Sequence, residues 1–377
     1  MKIGIIGAGV ISQAYLTSLC TQFPWLKVSA ISDNIPGKAA ARLQEMEKAG
    51  VLQMKDIRIC STDELLQMED ISLVIVLTPM ESHYSIAKSA LLAGKHVYTE
   101  KTLTATTEQA AELAAIANKK GLWLGAAPDT FLGTNIQTAQ KAVDDGLIGE
   151  VQSFSISVNR NNDVFTAMFP FLRTAGSLRD YAVYYLTALV AILGPVAKVS
   201  AFIRAPYKKR VNQIPNTPNY KEEIATPKES VIAATLELEN GIIGTFHQNH
   251  ESVIQDQANF AIYGRKAILL PGCPNFFGAD TVMISPKSGG DIGSACFDTE
   301  TTVLPPVGAY AENSRGVGAA EMAKAIEAGT KNRASKELAM HVLAIIEAME
   351  KSNYEGTTVQ VLHSCERPEP FLYPLQG

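Results

Sequence analysis

The sequence predicts an α/β protein of two domains: a doubly wound parallel sheet over residues 1–127, then an α+β domain with a mostly antiparallel sheet over residues 128–377. Three observations predict it. Short apolar runs alternate with helical periodicity through the first third of the chain. A glycine turn joins the first apolar run to the first helix. From about Asp129 the alternation gives way to helices followed by runs of strands.

In chain order, Lys2 to Ile6 reads as a buried strand, followed by the turn Gly7-Ala8-Gly9 and a helix from Val10 to about Cys20. Further strands read at Val28 to Ile31, Ile57 to Cys60, Leu73 to Leu77, His96 to Tyr98 and Leu122 to Ala126. Helical stretches separate them at Gly37 to Lys48, Ser82 to Ala93 and Thr107 to Lys119. Strands that are apolar throughout, rather than alternating, belong to a parallel sheet covered on both faces.

The turn Gly7-x-Gly9-x-x-Ser12 carries the first chemistry. A glycine at the strand end permits the sharp turn, and the next lets backbone approach a pyrophosphate. Val10 and Ile11 then enter a helix N-terminus whose free N–H groups favour an anion. Ser12 replaces the third glycine and is small enough for close helix packing. Such a motif is weak alone and gains weight from its place between first strand and first helix. Asp33 ends the second strand, where a carboxylate binds ribose hydroxyls. Together these describe a Rossmann domain. A carboxylate at Asp33 repels a 2′-phosphate, no arginine occupies the next five positions, and Lys38 is the nearest cation. NAD is therefore expected over NADP. Thr78-Pro79 and the stretch Tyr98 to Thr102, with Glu100 and Lys101, lie past later strands and should face the nicotinamide half, with His83 at a helix start nearby. A lysine past a buried strand is by itself ordinarily a solvated residue.

The chain has 377 residues, 46% hydrophobic and 19% charged, which is ample for two cores. A net charge of −5 argues against a nucleic-acid surface. No apolar run approaches the roughly 20 residues of a membrane helix. The N-terminus has neither a cleavage site nor the long apolar region of a signal peptide. Five scattered cysteines form no C-x-x-C pair, and read as free thiols in a reducing, cytoplasmic setting. His247 and His250 are three apart without a completing ligand, so no metal is expected.

The second domain reads as a helix at Asn135 to Asp145, a strand at Val151 to Val158, a helix bearing Asp180 and Tyr184, and a strand at Val199 to Arg204. Ala205 to Lys228 reads as a long surface loop, with strands resuming at Ser230 to Glu237, Ile242 to Gln248 and Ala258 to Tyr263. Met322 to Glu350 reads as helical, packing back across the domain junction. Asn161, Asn162 and Asp163 can bond sugar hydroxyls but are also ordinary turn formers. A spacing of four puts Asp180 and Tyr184 on one helical face. A tyrosine so placed is, by itself, ordinarily core.

Several strings resemble the Gfo/Idh/MocA oxidoreductases: A-G-K-H-V-Y-T-E-K at Ala93 to Lys101, L-T-P-x-x-x-H at Leu77 to His83, and A-P-D-T-F-L-G at Ala127 to Gly133. Others are D-D-G-L-I-G at Asp144 to Gly149, L-x-D-x-x-x-Y-Y-L-T-A-L with L-G-P-V at Leu178 to Val196, and N-R-A-S-x-E-L-A-x-H-V-L at Asn332 to Leu343. The likeness spans nearly the whole chain. It implies that Lys101 orients and polarises a substrate hydroxyl, and that Tyr184, where the family usually has histidine, is the acid/base. Asp180 would hold a sugar hydroxyl or orient the lysine. A tyrosine can serve if its pKa falls from about 10, as an adjacent ammonium favours. Thr102 replaces the family's proline after E-K, and Arg179 stands beside Asp180, either to bind an anionic group or as a helix-surface residue.

The resemblance further implies oxidation of a secondary ring hydroxyl of a sugar, polyol or glycoside to a keto-sugar. In a narrower form this is C3 of a glucoside, with a separate lyase acting on the product. It also implies a homo-oligomer through the C-terminal sheet and, as in some relatives, a retained cofactor with a sugar acceptor. The alternative is an NAD-dependent glycosidase that oxidises transiently with no net redox change.

Overall fold

A computed structural model describes residues 1–161, 172–217, 219–226, 228–253, 257–287 and 298–376. Asn162, Asp163 and Cys296 fall outside the described residues. The chain divides into two compact units, the first of residues 1–132, 310–343 and 373–377, the second of residues 133–309 and 344–372. The sequence reading keeps everything after residue 127 together, whereas residues 310–343 group with the first unit. Asp129 gives a local reason: its Oδ2 accepts the backbone N–H groups of Gly316 and Gly318 at 2.8 and 3.0 Å.

In unit one a sheet is built from β1 (Lys2–Ile6), β2 (Lys27–Ser32), β3 (Arg58–Ile59), β4 (Leu73–Val76), β5 (His96–Thr99) and β6 (Leu124–Ala126). Its order is β3-β2-β1-β4-β5-β6, and every pairing is parallel. That is the Rossmann order, with the topological switch between β1 and β4. Ile3, Ile5 and Ile6 in β1 and all of β4 are at most 2% exposed, which explains their unbroken apolar character. Each such side chain contributes roughly 1.5–3 kcal/mol on burial.

The connecting helices are α1 (Ser12–Thr21), α2 (Lys38–Lys48), α3 (Thr62–Gln67), α4 (His83–Leu92) and α5 (Thr107–Lys120). In α2, Ala39, Leu43 and Met46 are buried at helical spacing, and Glu45, Glu47 and Lys48 face outward. A capping box of Ser61 and Glu64 starts α3, and the Thr106 side chain caps α5 through the Gln109 N–H. Sequence periodicity predicts α1, α2, α4 and α5 to within a few residues, and it missed the short α3.

Unit two holds a mixed sheet of order β16-β15-β14-β13-β7-β12-β11-β8-β17. Its strands are β7 (Val151–Asn159), β8 (Val196–Arg204), β11 (Val231–Leu238), β12 (Ile243–Asn249), β13 (Gln257–Gly264), β14 (Ile268–Leu270), β15 (Val282–Pro286), β16 (Thr299–Val303) and β17 (Val359–Gln360). Only β12 and β7 pair in parallel; the rest are antiparallel. Phe154, Ile156 and Val158 of β7 and Ile232, Ala234 and Leu236 of β11 point into the core at period two. The helix Val183–Leu193 is buried at every position and packs on α6 (Thr134–Asp144).

Three expectations are corrected. The stretch expected as loop carries a two-stranded sheet of β9 (Lys209–Val211) and β10 (Glu223–Ala225). The helical stretch expected at Met322 to Glu350 is divided into two helices, Val317–Ala328 and Lys336–Glu355. Strands β14 to β17 were not foreseen, because they are short. All five residues of β16 are exposed, so no apolar alternation marks them. Among the described residues no helix is long and apolar enough to cross a membrane.

Candidate functional site

In unit one the candidate residues gather at the carboxyl ends of the strands, the ligand-binding edge of such sheets. Gly7 has φ +107, and a Cβ there would lie 2.7 Å from Leu77 backbone atoms, so the turn tolerates glycine alone. At Gly9 a Cβ would meet nothing within 4 Å, which leaves its face open to a ligand. Val10 stands out at 71% exposure, and Ile11 is the N-cap of α1, with no side-chain cap hydrogen bond. An open helix entrance above a glycine turn suits a pyrophosphate.

Asp33 closes the end of β2 on that turn. Its Oδ2 accepts the Ala8 N–H at 2.8 Å, and its Oδ1 accepts the Ile35 N–H at 2.9 Å. Its side chain is only 5% exposed, and Lys38 Nζ lies 3.4 Å from Oδ2. Lys38 is therefore paired with Asp33 and is more than a solvated helix residue. Arg42, which sequence reasoning missed, donates from Nη2 to the Gly9 carbonyl at 3.1 Å. It is nine positions past Asp33, and α2 brings it back over the turn.

At the ends of β4 and β5, Thr78 Oγ1 and Thr99 Oγ1 are buried without a hydrogen-bond partner among the described residues. Pro79 is exposed. Glu100 is buried; its Oε1 accepts from Tyr15 Oη at 2.8 Å, and its Oε2 accepts the Lys101 N–H at 3.1 Å. Glu100 thus anchors the backbone of Lys101, a role no spacing in the sequence reveals. His83, expected to line a nicotinamide pocket, is instead 0% exposed and faces two carbonyl oxygens with its ring nitrogens. The open glycine turn, the Asp33 carboxylate and the unpartnered Thr78 hydroxyl together fit a dinucleotide.

In unit two Asp180 lies within a π-helical turn, Leu178–Ala182, where an α-helix was expected, and Tyr184 lies in the first turn of Val183–Leu193. Single π turns inside helices are frequent at functional sites. Tyr184 is 9% exposed and meets Tyr181 edge-on, centroids 5.9 Å apart. The Arg160 guanidinium lies over the Tyr181 ring at 3.7 Å from its centroid, and His250 meets that ring at 6.0 Å. Burial first, then the Arg160 charge, pull the His250 pKa down to about 3, against the opposing pull of Asp180. His250 is therefore neutral near pH 7, and its Nε2 has no partner among the described residues. Burial pushes the Tyr181 phenol well up, so it stays protonated.

Arg160 and His250 thus accompany Asp180 and Tyr184, a grouping the sequence did not reveal. Arg179 turns elsewhere: its guanidinium takes both oxygens of Glu350 at 2.5 and 2.9 Å. That bidentate pair gives Arg179 a structural role, where the sequence leaves an anionic-group contact or a helix-surface position open. Asn161 bridges Glu251 at a strand edge, and its Nδ2 points to the Val253 carbonyl at 3.5 Å. Among the described residues no group of three or more His, Cys, Asp or Glu is arranged to hold a metal.

A family model described as an oxidoreductase family with an NAD-binding Rossmann fold matches residues 1–127, and one described as the GFO/IDH/MocA C-terminal domain matches residues 136–270. The chain is 25% identical over 373 residues to scyllo-inositol 2-dehydrogenase (NADP(+)) IolW of Bacillus subtilis, covering 96% of each. It is 28% identical to the uncharacterized oxidoreductase YhhX of Escherichia coli over 58% of this chain, and spans only 63% of that relative's length. It is 29% identical to a dTDP-3,4-didehydro-2,6-dideoxy-alpha-D-glucose 3-reductase of Streptomyces violaceoruber over 53% of this chain and 56% of that protein. Among solved structures, a levoglucosan dehydrogenase complex with NADH and L-sorbose superposes with a TM-score of 0.78. That match has 18% identity and covers 96% of this chain and 99% of that one, a likeness of fold.

Proposed function

The chain belongs to the Gfo/Idh/MocA oxidoreductase family, and from that premise we propose that it oxidises a secondary ring hydroxyl of a sugar, polyol or glycoside to a ketone, or runs the reverse reduction. The observation that carries the reading is the anchoring of Lys101. Glu100 holds its backbone N–H at 3.1 Å and is itself held by Tyr15 of α1, the helix that opens at the glycine turn. When bound, the nicotinamide ring supplies the hydride acceptor or donor at its C4. The chain's own residues then manage binding and the proton. Gly7, Gly9, Val10 and Ile11 cradle the pyrophosphate, Asp33 takes the adenosine ribose, and Thr78 offers its free hydroxyl toward the nicotinamide half. By the family likeness Lys101 polarises the substrate hydroxyl, and Tyr184 is the acid/base that takes the alcohol proton. Asp180 holds a neighbouring sugar hydroxyl. The assignment of Lys101 and Tyr184 to one reaction rests on the likeness of their motifs to the family.

A sugar-like substrate is supported by the names of IolW, an inositol dehydrogenase, and of the dideoxyglucose 3-reductase, which acts on a nucleotide-linked sugar. NAD is the cofactor this reading favours, on the strength of Asp33, although Lys38 and Arg42 bring positive charge nearby. A glucoside oxidised at C3, a lyase consuming the product, a retained dinucleotide with a sugar acceptor, and a homo-oligomer formed through the unit-two sheet are narrower forms of the same proposal. Thiols at Cys20, Cys60 and Cys273, none in a disulfide, suit the reducing, cytoplasmic setting it assumes. The test is isotopic. A substrate deuterated at the reacting carbon should pass its label to the dinucleotide, whereas label released to solvent would contradict hydride transfer.

A further inference from the structure

His83 opens α4 and is completely buried. Its Nδ1 lies 2.7 Å from the carbonyl oxygen of Thr102, and its Nε2 lies 2.9 Å from that of Thr78. Both partners accept, so each requires an N–H from the ring. A neutral imidazole has one N–H and one lone pair, and only the imidazolium satisfies both carbonyls. Burial, the largest influence, lowers the ring's pKa. The two carbonyls and the Glu100 carboxylate oppose it, and Lys101 adds a smaller lowering. Both ring nitrogens therefore face protein carbonyls, and neither is turned toward a ligand.

The two carbonyls belong to segments that matter together. Thr78 follows β4, and Thr102 follows Lys101 beyond β5. The backbone joins these segments as far as the Glu100 N–H, which donates to the Val76 carbonyl at 2.8 Å. Past that bond the His83 ring spans them. Two further bonds of the second segment are local: Thr102 Oγ1 donates to the Thr104 carbonyl, and Thr104 Oγ1 to the Thr106 carbonyl, each at 2.7 Å. They shape the loop without tying it to β4.

We propose that His83 is a positioning residue that fixes the Lys101–Thr102 segment to the start of α4, beside the Thr78 turn, and so sets where the Lys101 ammonium stands. The inference rests on the reading of Lys101 as the residue that polarises the substrate hydroxyl. It replaces the expectation that His83 lines the cofactor pocket with a role behind it.

Three variants of the full chain separate the two contacts. In His83→Asn the amide nitrogen can take the place of Nδ1 and keep the Thr102 contact. In His83→Gln it can take the place of Nε2 and keep only the Thr78 contact. His83→Phe keeps neither. Two readouts are needed, hydrogen exchange of the backbone amides of residues 100–106 and steady-state kinetics with the dinucleotide and a sugar substrate. Loss of one buried hydrogen bond corresponds to about a tenfold change in a local opening equilibrium. Exchange over 100–106 should therefore quicken about tenfold in the Gln and Phe variants and stay near wild type in the Asn variant. Turnover should fall by a similar factor in the same two variants, with dinucleotide affinity unchanged and the Asn variant rescued. Unchanged exchange in the Gln variant would overturn the clamp, and that variant suffices if His83→Phe does not fold. Faster exchange with unaltered turnover would reduce His83 to packing and also overturn the proposal. A wild-type protein inactive on every sugar would sink the dehydrogenase reading, and the exchange data would then decide the clamp alone.

Discussion

The Leu178 backbone N–H donates to Glu229 Oε1 at 3.1 Å, so a carboxylate from a loop before β11 starts the helical stretch that bears Asp180 and Tyr184. Gly176, two residues earlier, makes the approach possible. It has φ +76, and a Cβ there would lie 2.3 Å from Glu229 Oε1. Ser177 completes the joint, donating from Oγ to the Glu229 carbonyl at 3.0 Å and accepting Gln248 Nε2 at 2.9 Å.

Gly176→Ala should therefore lose more than about 1 kcal/mol of stability, because alanine is strained at positive φ and also meets the carboxylate. Glu229→Gln, which keeps an acceptor, should lose less. Urea unfolding of both variants checks the order. Gly176→Ala as stable as wild type would mean that the glycine is dispensable.

Much of unit one was legible because its signals are local. The glycine turn, the acidic end of β2 and the unbroken apolar runs each follow from a few neighbouring residues. The π turn at Leu178–Ala182 was not, since nothing in L-R-D-Y-A distinguishes it from an α-helix. Contacts between residues far apart in sequence were also invisible, among them Tyr15 with Glu100 and Glu229 with Leu178. Arg179 was ambiguous beside Asp180, and only the presence of Glu350, 171 positions away, settles its partner.

On cofactor choice, NAD should bind more tightly than NADP by about tenfold, equivalent to about 1.4 kcal/mol. Asp33→Ala should narrow that gap, since the repelling carboxylate is gone. Lys38→Ala should widen it, by removing the cation paired with Asp33 at 3.4 Å. Calorimetric titration decides, and tighter binding of NADP by the wild type would refute the preference.

For catalysis, Lys101→Ala and Tyr184→Phe should each lower turnover by about 10²-fold or more, the scale of general acid–base help. Dinucleotide affinity should change little in either. Near-normal turnover of Tyr184→Phe across a pH series would make the tyrosine a packing residue.

Asp129 makes stability depend on pH. Burial is the largest influence and raises its carboxyl to about 6 from 3.8, against the pull of the Gly318 and Gly316 amides. A folded-state pKa above the unfolded one means that the folded protein holds the extra proton in the window between them. The contribution is full below about pH 4 and is lost as pH rises through about 6. Asp129→Asn should lack this slope, so the stability of wild type relative to the variant should fall across that window in thermal unfolding. A difference independent of pH would show that Asp129 is not the group responsible.

The most direct measurement of the central claim is the redox balance of a complete reaction. Purified protein is incubated with NAD and, separately, with glucose, inositols and aryl glucosides; reduced dinucleotide is followed by absorbance and products by mass. A sugar dehydrogenase gives, for at least one of these, a keto-product lighter than its substrate by one pair of hydrogens, formed in step with reduced dinucleotide or with a reduced sugar acceptor. A hydrolysed glycoside with no net reduction would contradict it and establish the glycosidase instead.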